Sequence, residues 1–321
     1  MNILILGGAG FLGSNLVRRC LRDKANRVLV VDSFEPRLGS TMESLAEVKA
    51  SIDVVQGDMR DAGLMRKVVQ GQEAIFICAA QTSHPLSISD PLFDAEVNCL
   101  GNLTLLEAVR EQDHGRKTVV VFPSSSTVVG AAPGEVVDEA HAENPLDIYS
   151  ADKGVAEKYY RIYHRLHDLK TVALRFSNLY GPYGKGSPAF GFVNYFLHLA
   201  SRGEDITVYG DGAQRRNVLY VEDAVEILYQ SVRNPRLIGT VHFAVHRENL
   251  SVLNIAETIV SVFGRGRVVH VEWPEARRRI EVGDALISPS KLWALTQWRP
   301  RFSFEEGLMK TKEAMESVSV R

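Results

Sequence analysis

The sequence is short of the features that mark membrane, disulfide-stapled or nucleic-acid-binding proteins. It has only three cysteines in 321 residues, Cys20, Cys78 and Cys99. Their odd number, wide spacing and apolar or helical surroundings give neither a disulfide framework nor a metal-ligand pattern, so they read as buried reduced thiols and no metal is expected. No stretch approaches the roughly 18 consecutive apolar residues of a membrane span. Asn2–Leu6 already reads as a strand, with no basic or small-residue leader before it, so the expected location is the cytoplasm and no membrane partner is expected. Charge of one sign is missing too: 37 Lys and Arg stand against 39 Asp and Glu, a net charge of −2. Such a chain has no excess cation with which to displace counterions, which argues against nucleic acid as a partner. The basic residues gather only in small clusters, Arg215-Arg216 and Arg277-Arg278-Arg279, suited to a small anionic ligand. Internal repeats and low-complexity linkers are also lacking.

What remains is ordinary globular material, 45% hydrophobic and 24% charged, arranged with a clear rhythm. Short apolar runs at Ile3–Leu6, Arg27–Val31, Asp53–Gln56, Ala74–Cys78 and Thr118–Phe122 read as strands buried on both faces. Between them, Phe11–Leu21, Leu64–Val69 and Asp94–Glu111 carry helical periodicity, followed by a helix at Ser150–His167 and a strand at Thr171–Phe176. This alternation predicts an α/β fold, a Rossmann-type doubly wound parallel sheet, with a smaller C-terminal α/β lobe for substrate. Beyond about residue 178 turn formers interrupt the rhythm. Phe190–Arg202 looks helical, and Val218–Val232 and Thr240–Ala244 resemble a further helix and strand of the first domain. The expected division is 1–178 plus 218–245 for the sheet domain, and 179–217 plus 246–321 for the lobe.

Two constellations carry chemistry. Gly7-Gly8-Ala9-Gly10-Phe11-Leu12-Gly13 follows the first strand directly and opens the first helix. Glycines at 7, 10 and 13 permit a tight turn, close approach of backbone to a pyrophosphate, and tight helix packing. The helix start adds free N–H groups and the positive end of its dipole. Asp32, at the end of the second strand about 20 residues on, can accept both ribose hydroxyls of NAD and repels a 2′-phosphate. Further along, Tyr149 and Lys153 share one helix face, downstream of the serine-rich strand end Pro123–Thr127. A phenol of pKa about 10 is a poor base at neutral pH. An ammonium about 5 Å away, at an effective dielectric near 20, favours the phenolate by roughly 3 kcal/mol. A serine hydroxyl nearby can hydrogen-bond the reacting oxygen or relay its proton.

With these residues the chain resembles the extended short-chain dehydrogenase/reductases, specifically the NAD-dependent epimerase/dehydratase group that acts on nucleotide sugars. The resemblance covers nearly the whole chain: Gly7–Gly13, Gly57-Asp58-Met59, Cys78-Ala79-Ala80, Asn98, Ser124–Gly130, Tyr149 and Lys153, Arg175–Pro182, Tyr209–Arg216 and Tyr220–Asp223. It implies NAD as cofactor, held by Gly7, Gly10, Phe11, Leu12, Gly13, Asp32, Asp58, Met59, Ala79, Ala80 and Asn98 together with Tyr149 and Lys153. Asp58 and the backbone of Met59 face the adenine in that scheme, Ala79 and Ala80 line the dinucleotide, and Asn98 supports the nicotinamide side. Ser125, Tyr149 and Lys153 are the implied catalytic residues. Ser125, Thr127, Asn178, Arg216 and one of Arg277–Arg279, represented by Arg279, meet the nucleotide-sugar substrate, the arginines by bidentate contact with its diphosphate. Family members also commonly pair the helices corresponding to Asp94–Glu111 and Ser150–His167, which implies a homodimer.

The resemblance implies a common first step, in which Tyr149 takes the proton of the sugar 4-hydroxyl as C4 gives a hydride to NAD. Dehydratases of the group carry an Asp-Glu pair directly after the serine partner, and decarboxylases a Glu two residues after it. Here those positions are Ser126 and Thr127, which cannot serve as carboxylate acid or base. The expected reaction is therefore inversion at C4 through a transient 4-keto sugar, with a UDP sugar as substrate. The alternatives are a dehydratase, decarboxylase or reductase with acids relocated to His84, Glu139 or His141, and, from another class, a catalytically idle NAD-binding scaffold. Three departures bear on substrate identity: Val129 in place of a common tyrosine, Asn217 in place of a common aspartate, and Ala244–Arg247 without the usual glycine turn.

Overall fold

The computed structural model describes residues 1–113, 117–132, 134–275 and 283–319. Five strands open the chain: β1 (Asn2–Leu6), β2 (Arg27–Asp32), β3 (Asp53–Gln56), β4 (Ala74–Ile77) and β5 (Val119–Ser125). A short β6 (Val136–Val137) follows, then β7 (Lys170–Phe176) and, much later, β11 (Val241–Ala244). Seven of these form one sheet in the order β11-β7-β5-β4-β1-β2-β3, parallel throughout.

The period-two alternation of the strands explains why they are apolar on both faces. Ile3, Ile5, Ala74, Phe76, Val119 and Val121 belong to the core on one side of the sheet. Leu4, Leu6, Ile75, Ile77, Val120 and Phe122 belong to the core on the other. Helices α1 (Phe11–Leu21) and α8 (Val221–Ser231) contribute to the first core through residues such as Leu16, Val17, Ala224 and Leu228. Helices α2 (Ala62–Val68), α5 (Gly101–Gln112) and α6 (Ile148–His167) close the second through Met65, Leu105, Ala156 and Tyr160. Burial at roughly 25 cal/mol per Å2 of apolar surface is what holds these layers together.

Strand order reverses between β1 and β4, so the crossings leave from opposite sides of that pair. A crevice opens at the carboxyl ends of strands at such a point, which is where doubly wound sheets bind ligands. The expected helix Asp94–Glu111 is three pieces: α4 (Pro91–Ala95), a π-turn at Glu96–Leu100, and α5. The stretch Val218–Val232, read as helix, is the end of β10 (Arg215–Tyr220) running straight into α8. After β7 the remaining described elements are small: β8 (Asn178–Tyr180), β10 and β12 (Asn249–Ser251) form one sheet, and β9 (Ile206–Tyr209) pairs with β13 (Val268–Val271). Helices α7 (Phe192–Arg202) and α9 (Val252–Phe263), with Phe304–Ser319, cover them.

Candidate active site

The loop after β1 is shaped by exclusion. Gly7 has φ +74°, and a Cβ there would lie 2.3 Å from the backbone nitrogen of Ala79. A Cβ at Gly13 would lie 2.2 Å from the Gly7 carbonyl oxygen, so α1 sits directly on the loop. Gly10 differs: a Cβ would meet nothing closer than the Gly7 carbonyl at 3.3 Å. The space beside Gly10 is therefore left for something other than protein, and α1 starts there with no side-chain cap and no acidic residue in its first turn. Free N–H groups at a bare helix start suit a pyrophosphate. The residues thus fit a dinucleotide.

A cleft of about 310 Å3 runs from this loop along the strand ends. Of the residues expected at the site, Gly7, Gly10, Phe11, Leu12, Asp32, Asp58, Met59, Ala79, Ala80, Ser125, Thr127, Tyr149, Lys153 and Asn178 line it. At one end Asp32 is held rigidly. Its Oδ2 accepts the Ala9 N–H at 2.9 Å, and Oδ1 accepts the Phe34 N–H at 3.0 Å and the Ser40 hydroxyl at 2.6 Å. Asp58 is paired with Arg60 at 2.8 Å, and that hydrogen bond holds its carboxyl below the usual carboxylate range.

At the other end β5 and α6 converge. Ser125 is the last residue of β5, and its hydroxyl lies 2.8 Å from that of Thr127. Ser150 donates to the Thr127 hydroxyl at 2.8 Å, completing a short chain of hydroxyls. Asp147 caps α6 by accepting the Ser150 N–H at 2.8 Å, which sets where Tyr149 and Lys153 point. Burial pushes the Tyr149 phenol above its ordinary range, and the Ser125 hydroxyl pulls the other way. Lys153 does not lower it as the spacing suggested. Its Nζ donates instead to the Pro123 carbonyl at 2.9 Å and stands 4.4 Å from the Phe122 ring centroid, while burial brings its pKa down to about 8. Desolvation by burial is the largest influence on both groups.

Three expected residues stand off the cleft wall. Gly13 serves helix packing. Asn98 is buried behind the wall in the π-turn, with Nδ2 donating to the Gln81 carbonyl and to Asp94 Oδ1, each at 2.9 Å. Arg216, on β10, directs Nη1 to the carbonyls of Arg215 and Gly283. Arg279, with Arg277 and Arg278, lies outside the described residues. Two features of the site escape sequence reasoning. Lys185, from a segment legible only as turn formers, reaches the cleft wall and donates to the Leu38 carbonyl. Behind Ser125, the Ser124 hydroxyl donates to Glu157 at 2.5 Å, and Arg175 pairs with the same carboxylate at 2.6 Å, bracing the strand end against α6.

The profile of the NAD dependent epimerase/dehydratase family matches residues 3–245. The chain belongs to this family. NAD is accordingly its cofactor, and the family supports a sugar epimerase or dehydratase. A putative UDP-glucose 4-epimerase of Methanocaldococcus jannaschii is 28% identical over 318 residues, 98% of each chain. A dTDP-glucose 4,6-dehydratase of Streptomyces niveus is 30% identical over 98% of this chain and 92% of its own. Among solved structures, the UDP-glucose 4-epimerase of Thermus thermophilus, in complex with NAD, superposes with a TM-score of 0.86 at 28% identity, covering 98% of this chain and 99% of that one. The family thus holds both epimerases and dehydratases at similar distance from this chain.

Proposed function

We propose that the protein is a nucleotide-sugar 4-epimerase, inverting C4 of a UDP-hexose or a derivative of one through a 4-keto intermediate. The observation that carries this reading is the chemistry of the wall around Ser125. Among the described residues lining the cleft, the only carboxylates are Asp32 and Asp58. Both belong to the adenosine end in this reading, so among the described lining residues no carboxylate faces the reacting sugar to drive loss of the 6-hydroxyl or of a carboxylate. Without that chemistry the ketone is left to be reduced again.

In this reading residues 1–178 and 218–245 hold the dinucleotide, and 179–217 with 246–321 hold the nucleotide sugar. Gly7, Gly10, Phe11 and Leu12 hold the pyrophosphate, Asp32 the adenosine ribose, Asp58 and Met59 the adenine, and Ala79, Ala80, Tyr149 and Lys153 the nicotinamide half. NAD held there would supply an acceptor for the C4 hydride and a donor for its return to the opposite face of the ketone. Tyr149 takes the proton of the 4-hydroxyl, and Ser125 holds that oxygen and eases the phenol's ionisation. Lys153, still largely protonated at neutral pH with a pKa of about 8, supplies the compensating positive charge. Asn178 and Arg216 meet the diphosphate.

The test is a panel of UDP-, dTDP-, GDP- and CDP-hexoses incubated with protein and catalytic NAD, followed by NMR at the ring protons. The expected outcome is a C4 epimer with only transient absorbance near 340 nm. A 6-deoxy-4-keto product, or steady accumulation of NADH, overturns the reading.

A further inference from the structure

The epimerase reading leaves one acid–base pair at the reacting end of the cleft without a use. His84 opens the short helix His84–Ser89 and lines the cleft. Its ring stands edge-on to that of Tyr149, with centroids 4.9 Å apart and planes at 74°. Its Nδ1 is hydrogen-bonded to Oδ2 of Asp147. That carboxylate cannot wander, because its other oxygen accepts the Ser150 N–H as the cap of α6. The Asp147 side chain is 11% exposed and that of His84 39%, so the carboxylate lies inside and the imidazole faces outward into the cleft. Burial pushes the Asp147 carboxyl up, but His84 and the hydrogen bonds from Ser150 together keep it below its ordinary range.

A carboxylate on Nδ1 fixes the orientation and tautomer of an imidazole and leaves Nε2 to exchange protons. Among the described residues Nε2 of His84 has no hydrogen-bond partner. The other two candidate acids are otherwise placed. Glu139 accepts the Phe243 N–H at 2.8 Å, and His141 lies 3.9 Å from Glu135; neither lines the cleft.

We propose that His84, oriented by Asp147, is a second acid–base residue that exchanges the proton on a carbon flanking the C4 ketone, C3 or C5, of the bound sugar. The inference rests on the 4-keto reading, since only a ketone acidifies its neighbouring C–H bonds. Neutral Nε2 takes the proton from that carbon. The C–H electron pair becomes a carbon–carbon double bond, and the carbonyl pair moves onto oxygen, which takes the proton that Tyr149 removed earlier. The reverse step restores the ketone. Exchange of the Nε2 proton with solvent before that return leaves solvent hydrogen on the same face of the carbon, and no electrons are gained or lost.

Turnover of UDP-glucose and UDP-N-acetylglucosamine in deuterium oxide tests this. The hydride travelling through C4 does not mix with solvent, so deuterium at C3 or C5 of recovered sugar, read by NMR and mass spectrometry, reports the new step alone. Wild-type protein is expected to incorporate deuterium at one of these carbons. His84→Asn should reduce the ratio of that incorporation to C4 turnover about a hundredfold, the scale of general acid–base catalysis. His84→Gln should match it, and Asp147→Asn should lower the same ratio, a split between two reactions that loss of structure does not produce. C4 turnover without deuterium at C3 or C5 in wild-type protein overturns the inference, as does an unchanged ratio in both His84 variants. Absence of any C4 chemistry overturns the epimerase reading itself, and this step with it.

Discussion

Tyr149 and Lys153 stand one helical turn apart on α6, yet no hydrogen bond joins them among the described residues. The lysine leans on the Pro123 carbonyl and the phenol is raised by burial. Tyr149→Phe keeps the ring and its packing and removes only the group that moves the proton. Turnover should fall by about 10²–10⁴-fold while NAD affinity, measured by calorimetry, stays within a few-fold; undiminished turnover removes the phenol from the mechanism. Lys153 gives a pH signature. Its pKa is about 8 in the fold against about 10.4 in an unfolded chain. Between these values the unfolded state binds more protons, so this residue makes stability rise with pH across that window. Relative to Lys153→Met, wild-type protein should gain about 1 kcal/mol from pH 8 to pH 9 in urea unfolding; a difference that stays flat shows that the ammonium is not desolvated. The types Ser, Tyr and Lys were legible in the sequence because their chemistry is specific. What Lys153 bonds was not legible, because a backbone carbonyl leaves no mark in a side-chain pattern.

At the scale of elements, periodicity located α1, α6 and the strands β1 to β4 well, and failed where a regular pattern absorbs an irregular residue. The π-turn at Glu96–Leu100 inserts one residue into what reads as a single amphipathic helix and tucks Asn98 behind the cleft wall. The strand read at Thr118–Phe122, with Pro123–Thr127 as its serine-rich end, runs past its apolar residues as far as Ser125 although Pro123 is a poor strand former. It continues because Pro123, Ser124 and Ser125 stay in register with Leu174, Arg175 and Phe176 of β7. That extension delivers Ser125 to the cleft and presents the Pro123 carbonyl to Lys153. Asn217, visible in the sequence only as a departure from a common aspartate, proves to join β10 to two loops. Its Nδ2 donates to the carbonyls of His246 at 2.7 Å and Glu248 at 3.0 Å, while Oδ1 accepts from the Ser177 hydroxyl at 2.8 Å and the His246 N–H at 3.1 Å. An aspartate has no donor for those carbonyls. Asn217→Asp should therefore cost about 1–3 kcal/mol in urea unfolding, and a neutral result shows that the loops rearrange around the change.

For the whole molecule, the doubly wound sheet was legible because strands buried on both faces must be covered on both faces, and the chain alternates strand and helix accordingly. Nothing in that logic says what covers the outer side of α5 and α6, where the family resemblance implies a homodimer. Leu100, Ile162 and Leu166 in and beside these helices are 55%, 47% and 67% exposed. Single exposed apolar residues are ordinary, but on two helices that pack together they can become the core of a contact. A stable contact of standard size buries about 800 Å2 per partner, with its apolar residues near the centre. If these residues lie at such a centre, a charge there has to be desolvated without a partner, at a cost of several kcal/mol. Sedimentation equilibrium at micromolar concentration should then give twice the chain mass for wild-type protein and the chain mass for Ile162→Glu/Leu166→Glu, with NAD binding retained. Wild-type protein that sediments as a monomer, or a double variant that remains dimeric, shows that α5 and α6 face solvent and that their apolar residues serve the single chain alone.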